Sequence, residues 1–277
     1  MTPVVDIVIV SYNTKGYLEA CLRSLHEHPP TVTHTTTVVD NASRDGSAEM
    51  VRRVWPDVRL IQTGDNLGFA RANNLGIRAT HGTFILLLNS DTVVSPSAID
   101  GLVDRLTSTP DTAAVGPRLI DGAGNVELSF GPMMGPLNEL RQRCRTAALS
   151  RGTPIFGAAV ARSLARPGYP DWVTGACLLV RRVDAEAVGL LDERYLLYGE
   201  DVDFCAALRA RHRKILFSPD IEITHYGGRS GPTFPRQTRQ LYRRSKLAFY
   251  AKHHPHWLPL LRVYLKLRRQ LQQAEDD

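Results

Sequence analysis

Short apolar runs, polar turns and amphipathic stretches follow one another in a regular order along the N-terminal third of the chain. Runs of apolar, often β-branched residues predict buried strands, and they occupy residues 4–10, 35–39, 58–62 and 84–88. Between these runs, apolar side chains recur at helical spacing, as in Leu18, Cys21, Leu22 and Leu25, which predicts helices packed on the strands. Strands that alternate with helices of about a dozen residues predict right-handed β-α-β units and a mostly parallel sheet flanked by helices.

The second half of the chain is less regular. Two further buried strands and a short helix between them are predicted over residues 174–180, 214–217 and 202–211. Residues 130–170 are rich in Gly, Pro and Arg and show weak periodicity, which predicts a loop-heavy insertion. We therefore expect an α/β domain over residues 1–232, with halves at about 1–95 and 96–232, and a helical basic tail over 233–277.

The composition is that of an ordinary soluble globular protein. The chain has 277 residues, of which 43% are hydrophobic and 22% are charged, enough for one or two domains. Its four cysteines are scattered without a C-x-x-C pair, which argues against a zinc site or a disulfide framework and favours a reducing, cytoplasmic setting. The N-terminus lacks the basic and apolar regions of a signal peptide. No apolar run reaches the roughly 18 residues that a membrane-spanning helix needs.

The positive charge of the chain is concentrated in its tail. The net charge is +6, and residues 236–277 carry 10 Lys and Arg against 3 acidic residues, whereas residues 1–235 carry 24 basic and 25 acidic residues. The tail also contains two apolar sets, namely Leu241, Ala248 and Phe249, followed by Trp257, Leu260, Leu261, Tyr264, Leu265 and Leu267. Basic amphipathic helices with Trp are typical of elements on a membrane surface, so we expect peripheral contact with the inner face of the cell membrane. Packing on the α/β domain or a homodimer interface would explain the same pattern. Nucleic-acid binding is not favoured, because no nucleic-acid-binding module is recognised in the sequence.

Polar residues directly follow two of the predicted strands. Asp40 ends the second strand, and Asn89, Ser90 and Asp91 end the fourth. The carboxyl ends of strands in an open α/β sheet border the ligand-binding crevice, and carboxylates suit Mg²⁺ or Mn²⁺ held against a substrate phosphate. Asp91 is therefore a candidate metal ligand, and Asp40 is a candidate acceptor of hydrogen bonds from a nucleobase or ribose. A turn role for Asp40 and a helix-capping role for Asp91 stay open.

The segment from Asn66 to Asn74 opens a predicted helix. Asn66 precedes Gly68 and is a candidate N-cap of that helix. Arg71 and Asn74 lie one turn apart, on a face that we expect to point toward phosphates. Arginine suits a phosphate because its planar fork donates two parallel hydrogen bonds.

Further carboxylates and a histidine occur late in the chain. Glu200, Asp201 and Asp203 fall at the start of a predicted helix, where acidic residues also stabilise the helix dipole. One of two adjacent carboxylates can act as a general base while the other orients it. His225 follows a predicted strand, and it is either structural or a metal ligand together with Asp91.

Six short motifs, taken together, resemble family 2 glycosyltransferases with the GT-A fold, and within them the rhamnosyltransferase-like branch. The motifs lie in the family's order at residues 8–13, 40–47, 66–70, 88–91, 174–177 and 199–204. The resemblance implies a Rossmann-like mixed, mostly parallel sheet whose first half binds the nucleotide and whose second half binds the acceptor. It also implies an inverting transfer of a sugar, such as rhamnose from dTDP-rhamnose, from a nucleoside diphosphate donor to a hydroxyl of a cell-surface glycan or lipid-linked acceptor.

The resemblance also assigns roles to individual residues. Asp201 is implied to be the base that deprotonates the acceptor, with Glu200 beside it, and Asp91 and His225 are implied to bind Mg²⁺ or Mn²⁺. The residues implied to surround the donor are Ser11, Tyr12, Asn13, Asp40, Asn66, Gly68, Arg71, Asn74, Asn89, Ser90, Trp172 and Gly175. Asn89 stands where many relatives have Asp, which removes one anionic oxygen from the metal site, although an amide oxygen can still ligate.

Two other functions fit parts of the pattern. A nucleotidyltransferase acting on a sugar phosphate uses a similar sheet, but it favours a Gly-rich, Arg- or Lys-bearing loop after the first strand, and residues 11–14 lack one. A non-catalytic nucleotide-sugar-binding paralogue is the other alternative. The four intact candidates Asp91, Glu200, Asp201 and His225 argue against it.

Overall fold

The computed structural model describes residues 4–150, 162, 164–227 and 235–276. The strands are β1 (Val5–Ser11), β2 (His34–Asp40), β3 (Arg59–Gln62), β4 (Phe84–Asn89), β5 (Thr92–Val94), β6 (Thr112–Ile120), β7 (Phe130–Gly131), β8 (Trp172–Val173), β9 (Cys177–Arg181) and β10 (Lys214–His225). The helices are α1 (Lys15–Glu27), α2 (Ser47–Val54), α3 (Phe69–Arg78), α4 (Ala98–Ser108), α5 (Pro136–Ser150), α6 (Arg182–Ala187), α7 (Glu200–Ala210), α8 (Pro235–His253) and α9 (Leu258–Asp276). The alternation of strands and helices predicted for the N-terminal third is confirmed.

Eight strands form one sheet in the order β3-β2-β1-β4-β9-β6-β10-β5. The pairs β1–β2, β1–β4, β2–β3 and β6–β10 are parallel, whereas β9 runs antiparallel between β4 and β6, and β5 is antiparallel to β10. The predicted mixed, mostly parallel sheet is therefore present. Its register places Ser11 beside Asp40 and Val10 beside Asn89, so the polar ends of β1, β2 and β4 lie at one edge.

The core lies on both faces of this sheet, because successive strand residues point to opposite sides. Ile7 and Ile9 of β1 belong to a cluster with apolar residues of α1 and α4. Val8 and Val10 belong to a second cluster with residues of α3 and α7. Burial on both faces explains why the strands read as continuous apolar runs rather than as alternating ones.

Two of the predicted elements differ from the structure. The loop-heavy insertion expected over residues 130–170 is wrong in part, since α5 and the short β7–β8 pair lie within it; residues 151–161 and 163 are outside the described residues. The strand expected from Thr174 begins only at Cys177. The preceding residues form a turn in which the Thr174 amide donates to the Ser129 carbonyl (2.8 Å).

The tail is helical, as predicted, and it contributes to the core. Phe249 and Tyr250 of α8 and Leu261 of α9 are buried in a third cluster with Tyr195 and Val202. Packing on the α/β domain therefore explains the apolar residues on this side of the tail. Another apolar side of α9 remains exposed, and its large residues are Leu260, Val263, Tyr264 and Leu267. Within the described ranges, no helix combines the length and apolar character needed to cross a bilayer.

Candidate active site

The end of β4 leads directly into a buried acidic turn. Asn89 is the last residue of β4, Ser90 and Asp91 form the turn, and both turn residues are almost completely buried. The Asp91 carbonyl accepts the Tyr226 amide at 2.9 Å, which joins this turn to the residue that follows His225. Two segments far apart in sequence are thereby fixed next to each other.

His225 lies between two carboxylates. Its Nε2 atom is 3.4 Å from Oδ1 of Asp91 and 3.4 Å from Nδ2 of Asn89, and its Nδ1 atom is 2.9 Å from Oε2 of Glu127. Burial lowers the pKa of His225, but the hydrogen bonds to Asp91 and Glu127 outweigh this effect and raise that pKa to about 9. Glu127 was missed at the sequence level because it is a single acidic residue in a turn-rich segment.

The atoms around His225 fit a divalent cation. Asp91 and His225 present an oxygen and a nitrogen that are close enough to ligate one ion, and Oδ1 of Asn89 is buried without a hydrogen-bond partner among the described residues. Histidines that ligate metals usually donate their other ring N–H to a carboxylate, and Glu127 occupies that position. In the part of the chain that the structure describes, no cluster of three or more His, Cys, Asp or Glu side chains is arranged to hold a metal. Two protein ligands leave coordination positions for substrate phosphates.

The second acidic group begins α7. Glu200 is the first residue of this helix and is buried, and Asp201 follows it. The Asp201 carboxylate accepts the amide of Gly175 at Oδ2 (3.0 Å) and the amide of Val202 at Oδ1 (2.8 Å). These bonds hold the Asp201 carboxylate against the turn that precedes β9.

The two adjacent carboxyl groups differ in how easily they ionise. Burial, followed by the negative charge of Asp201, raises the pKa of Glu200 to about 8. Burial also raises the pKa of Asp201, but the backbone amides of Gly175 and Val202 counteract it. Hydrogen bonds to the charged form favour ionisation, so Asp201 loses its proton more readily and is the carboxylate available to act as a base, whereas Glu200 keeps its proton near neutral pH.

Backbone hydrogen bonds connect the two acidic groups. The amide of Asn89 donates to the carbonyl of Ala176 at 2.9 Å, and the neighbouring amide of Gly175 donates to Asp201. Burial and the negative charges of Glu200 and Asp91 together raise the pKa of Tyr198. The turn that contains Asp91 and the start of α7 are thus connected through adjacent residues of one segment, Gly175 and Ala176.

The predicted nucleotide side of the crevice is formed by the ends of β1 and β2. Asp40 is buried, and its Oδ1 atom has no hydrogen-bond partner among the described residues, while Oδ2 accepts the Ser43 amide at 3.3 Å. Tyr12 is half-buried, and Asn13 is exposed with its amide donating to Ser43 Oγ (3.0 Å). A buried acceptor oxygen without a partner is costly, and an incoming ligand N–H or O–H would satisfy it.

A chain of hydroxyl groups links the end of β1 to the turn after β4. Ser11 Oγ lies 3.0 Å from Thr14 Oγ1, which lies 2.9 Å from Ser90 Oγ. All three residues are buried. Ser11 and Ser90 therefore support the two turns from within, and Thr14, which was not predicted, connects them.

The segment that opens α3 contacts the loop before α7. Asn66 does not cap α3, because Gly68 is the residue before the helix, and Asn66 Oδ1 instead accepts the Gly68 amide (3.0 Å). A Cβ on Gly68 would lie 2.6 Å from the Leu196 carbonyl oxygen. Gly68 thus permits a close approach of two backbones.

Arg71 and Asn74 lie on one face of α3, but this face meets a protein loop. Arg71 Nε is 3.4 Å from Oε2 of Glu193, and the fully buried Asn74 amide exchanges hydrogen bonds with the Leu191 backbone (2.8 and 3.1 Å). The expectation that Asn74 points toward phosphates is wrong, because its polar atoms are used to hold residues 191–193. Arg71 remains exposed beside Glu193.

The remaining two predicted residues lie on the far side of the crevice. Trp172 is in β8, and its indole N–H donates to the Pro132 carbonyl at 2.9 Å. A Cβ on Gly175 would lie 3.4 Å from Cβ of Asp201 and 3.5 Å from the Phe69 ring. Gly175 is therefore enclosed between the candidate base and the start of α3.

Comparison with known proteins gives consistent findings. A family model described as glycosyl transferase family 2 matches residues 6–165. The chain is 31% identical over 294 residues to an N-acetylglucosaminyl-diphospho-decaprenol L-rhamnosyltransferase of Mycobacterium tuberculosis, with 98% of this chain and 93% of that protein covered.

Two solved structures are similar in fold. The mannosyltransferase PcManGT of Pyrobaculum calidifontis, in complex with GDP-Man and Mn²⁺, has a TM-score of 0.61 at 18% identity and covers 95% of this chain and 69% of that one. GalNAc-T7 with UDP, GalNAc and Mn²⁺ has a TM-score of 0.59 at 16% identity, with 81% of this chain and 44% of that chain covered. These similarities confirm the predicted GT-A fold.

Proposed function

The chain belongs to glycosyl transferase family 2 and is a glycosyltransferase, and from this premise we propose that it transfers rhamnose from dTDP-rhamnose to a lipid-linked acceptor. The rhamnosyl group and the lipid-linked acceptor are supported by the activity of the mycobacterial relative, which is similar over nearly its whole length, and dTDP as the nucleotide is part of our proposal. The observation that carries the proposal is the connection between the Asp91–His225 pair and the turn that holds Asp201, made by the hydrogen bonds Asn89–Ala176 and Gly175–Asp201.

The proposed reaction is a direct displacement with inversion. The acceptor hydroxyl oxygen forms a bond to the anomeric carbon, the bond from that carbon to the diphosphate oxygen breaks, and the diphosphate leaves with the electron pair. Asp201 takes the hydroxyl proton, since its carboxylate is fixed by two backbone amides and ionises more readily than that of Glu200. Glu200, protonated near neutral pH, donates a hydrogen bond to the acceptor.

The other residues bind and orient the donor. Asp40 accepts hydrogen bonds from the nucleobase through its buried Oδ1 atom, in a pocket with Tyr12 and Asn13. Asp91 would hold Mg²⁺ or Mn²⁺ together with His225, whose ring is oriented by Glu127. A cation bound there offsets the negative charge that develops on the leaving diphosphate.

A transfer assay with product identification tests this function. The purified protein is incubated with Mn²⁺, dTDP-rhamnose and a polyprenyl diphosphate that carries N-acetylglucosamine, with UDP- and GDP-sugars as alternative donors. We expect mass spectrometry to show one added deoxyhexose with the wild type and with Asp111→Asn, a matched control at an exposed carboxylate, but not with Asp201→Asn. Transfer by Asp201→Asn at the wild-type rate would contradict the assignment of the base.

We also propose that α5 and α9 attach the enzyme peripherally to the cytoplasmic face of the membrane. The helices meet where Arg143 donates to the Tyr264 hydroxyl at 3.3 Å. Large apolar side chains of the two helices, together with Trp257 just before α9, are between 42 and 72% exposed, and they are Leu137, Leu140, Trp257, Leu260, Val263, Tyr264 and Leu267. Exposed Arg262 and Lys266 flank this apolar face. Such a face buries in the headgroup region, and each basic residue near anionic lipid adds roughly 1 kcal/mol.

Vesicle flotation tests the attachment. We expect the wild type to float at low salt with vesicles of phosphatidylglycerol and phosphatidylcholine, and less at high salt. The double variant Leu260→Glu with Leu267→Glu should lose most of this binding, whereas Val183→Glu, which alters an equally exposed apolar residue on α6, should retain it. Failure of the wild type to float, or a vesicle-free dimer that the double substitution dissociates, would assign the face to another role.

A further inference from the structure

The turn that presents Glu200 and Asp201 has an unusual backbone conformation. Tyr198 (φ 68°) and Gly199 (φ 87°) are consecutive residues in the left-handed region, which a bulky non-glycine residue adopts only at an energetic cost. The helix α7 that follows has no side-chain hydrogen bond at its N-cap. The position of the two carboxyl groups therefore depends on contacts from other elements.

These contacts come from α8, in the C-terminal part of the chain. Ser245 Oγ donates to the Leu197 carbonyl at 2.8 Å, within the loop. Lys252 Nζ donates both to Asp192 Oδ2 (2.9 Å) and to Asp203 Oδ2 (2.7 Å). One lysine thus joins the start of the loop to the first turn of α7.

Asp203 is the centre of this arrangement. It is 1% exposed, and besides Lys252 it contacts His253 Nε2 (2.6 Å from Oδ1) and the Tyr195 hydroxyl (3.3 Å from Oδ1). Two residues along a helix correspond to a rotation of about 200°, so Asp203 points away from the side on which Asp201 meets Gly175. A buried carboxylate needs a compensating charge, and α8 provides it.

The charge on Lys252 is supported by the same contacts. Burial lowers the pKa of Lys252, but the hydrogen bonds and negative charges of Asp203 and Asp192 outweigh it, so the pKa is raised. Lys252 therefore remains a cation while partly buried. Nearby, Tyr195 and Phe249 pack together in the apolar cluster that seats α8 on α7.

We propose that Lys252 and His253 are positioning residues for sugar transfer, acting through Asp203 to fix the first turn of α7 and hence the direction in which Asp201 meets the acceptor hydroxyl. This inference rests on the proposed role of Asp201 as the base. It also assigns a role to Asp203, the third acidic residue at the start of α7. This role is structural support rather than chemistry. It predicts that α8, which lies outside the sheet, is needed for the reaction.

Steady-state kinetics and donor titration of Lys252→Met test this proposal. We expect its kcat to fall about tenfold or more, while the Kd for the dTDP-sugar changes less than twofold, because the donor side of the crevice is untouched. Lys252→Arg should recover most of the loss. Adding Asp203→Asn to Lys252→Met should also recover part of it, since the buried charge that needs compensation is removed. Lys214→Met, which breaks an exposed ion pair with Asp111 at the other end of β10 from His225, is the matched control and should behave as wild type.

Hydrogen–deuterium exchange gives a second measurement that does not require activity. Peptides covering residues 192–203 should take up deuterium faster in Lys252→Met than in wild type or Lys214→Met. If no variant transfers sugar, the wild type included, the proposed function fails while the exchange result still decides the link between α8 and α7. Wild-type kcat in Lys252→Met, unchanged exchange, or a parallel loss of kcat, donor affinity and thermal stability would overturn the positioning role.

Discussion

Glu200 and Asp201 are neighbours in sequence, but they meet different surroundings. Asp201 accepts two backbone amides, whereas Oε2 of Glu200 is buried without a hydrogen-bond partner among the described residues. This difference in surroundings separates the pKa values of the two carboxyl groups. It fits the proposed roles, in which Asp201 is a base and Glu200 is a protonated hydrogen-bond donor. At the scale of single residues, backbone hydrogen bonds favour ionisation of Asp201 over Glu200, which agrees with the roles proposed for them.

The buried Glu200 makes stability depend on pH. Its pKa is about 8 in the folded protein against 4.5 for the free side chain, so between these values the folded state holds a proton that the unfolded state has lost. The free energy of unfolding of the wild type should therefore fall as pH rises from 5 to 8. In Glu200→Gln, the decrease in unfolding free energy between pH 5 and pH 8 should be smaller than in the wild type by at least about 1.4 kcal/mol, the equivalent of one pKa unit. Urea unfolding at both pH values measures it, and identical pH dependence in the two proteins would contradict the environment described for Glu200.

At the scale of elements, the crevice depends on loops that approach each other closely. The start of α3 receives the loop before α7 at Gly68, where the Phe69 amide donates to the Leu196 carbonyl at 2.9 Å. Asn74 and Arg78 then hold Glu193 of the same loop. The loop that leads to Glu200 is therefore attached on one side to α3 and on the other to α8.

Gly68→Ala should disrupt this approach. The residue has φ 82° and ψ 170°, a conformation essentially restricted to glycine, and the added methyl group would lie 2.6 Å from the Leu196 carbonyl. We expect a loss of unfolding free energy at least about 2 kcal/mol larger than for Gly64→Ala. Gly64 is the matched control because it also has a positive φ but has nothing within 4 Å of the new Cβ. Equal losses in chemical denaturation would show that the close approach is absent.

At the scale of the whole molecule, a buried ion pair ties the first strand to the second half of the chain. Arg182 at the start of α6 contacts Asp6 of β1 at 2.8 Å and also donates to the Gly82 carbonyl (2.6 Å). Asp6 is 1% exposed, so its charge has no access to water. A buried ion pair therefore stabilises the edge of the sheet that lies opposite the crevice.

Removing one partner of this pair should be costly. Arg182→Met leaves the Asp6 carboxylate buried without its cation, and we expect a loss of about 3–5 kcal/mol in unfolding free energy. Arg105→Met breaks an exposed pair with Asp220 and should cost less than about 1 kcal/mol. Comparable losses for the two variants in urea titrations would contradict the structural importance of the buried pair.

The sequence was sufficient where the signal is local. Apolar β-branched runs give strands directly, and the polar residues that end them must share an edge in a parallel sheet, which is why the common location of Asp40, Asn89 and Asp91 could be predicted. Helix α5 was missed because Leu137 and Leu140 are exposed and leave no buried stripe to recognise. Glu127, Asn74 and Asp203 could not be assigned correctly, because their roles depend on partners that only the folded chain brings together.

Donor binding by two single variants tests the central claim. This claim is that Asp91 serves donor binding and Asp201 serves proton transfer in the same crevice. Titration calorimetry with the dTDP-sugar and Mn²⁺ should give Asp201→Asn the wild-type affinity although it no longer transfers sugar. Asp91→Asn should lose affinity by tenfold or more, because it removes a proposed ligand of the ion that contacts the diphosphate. Wild-type affinity in Asp91→Asn, or an equal loss of affinity in both variants, would contradict this division.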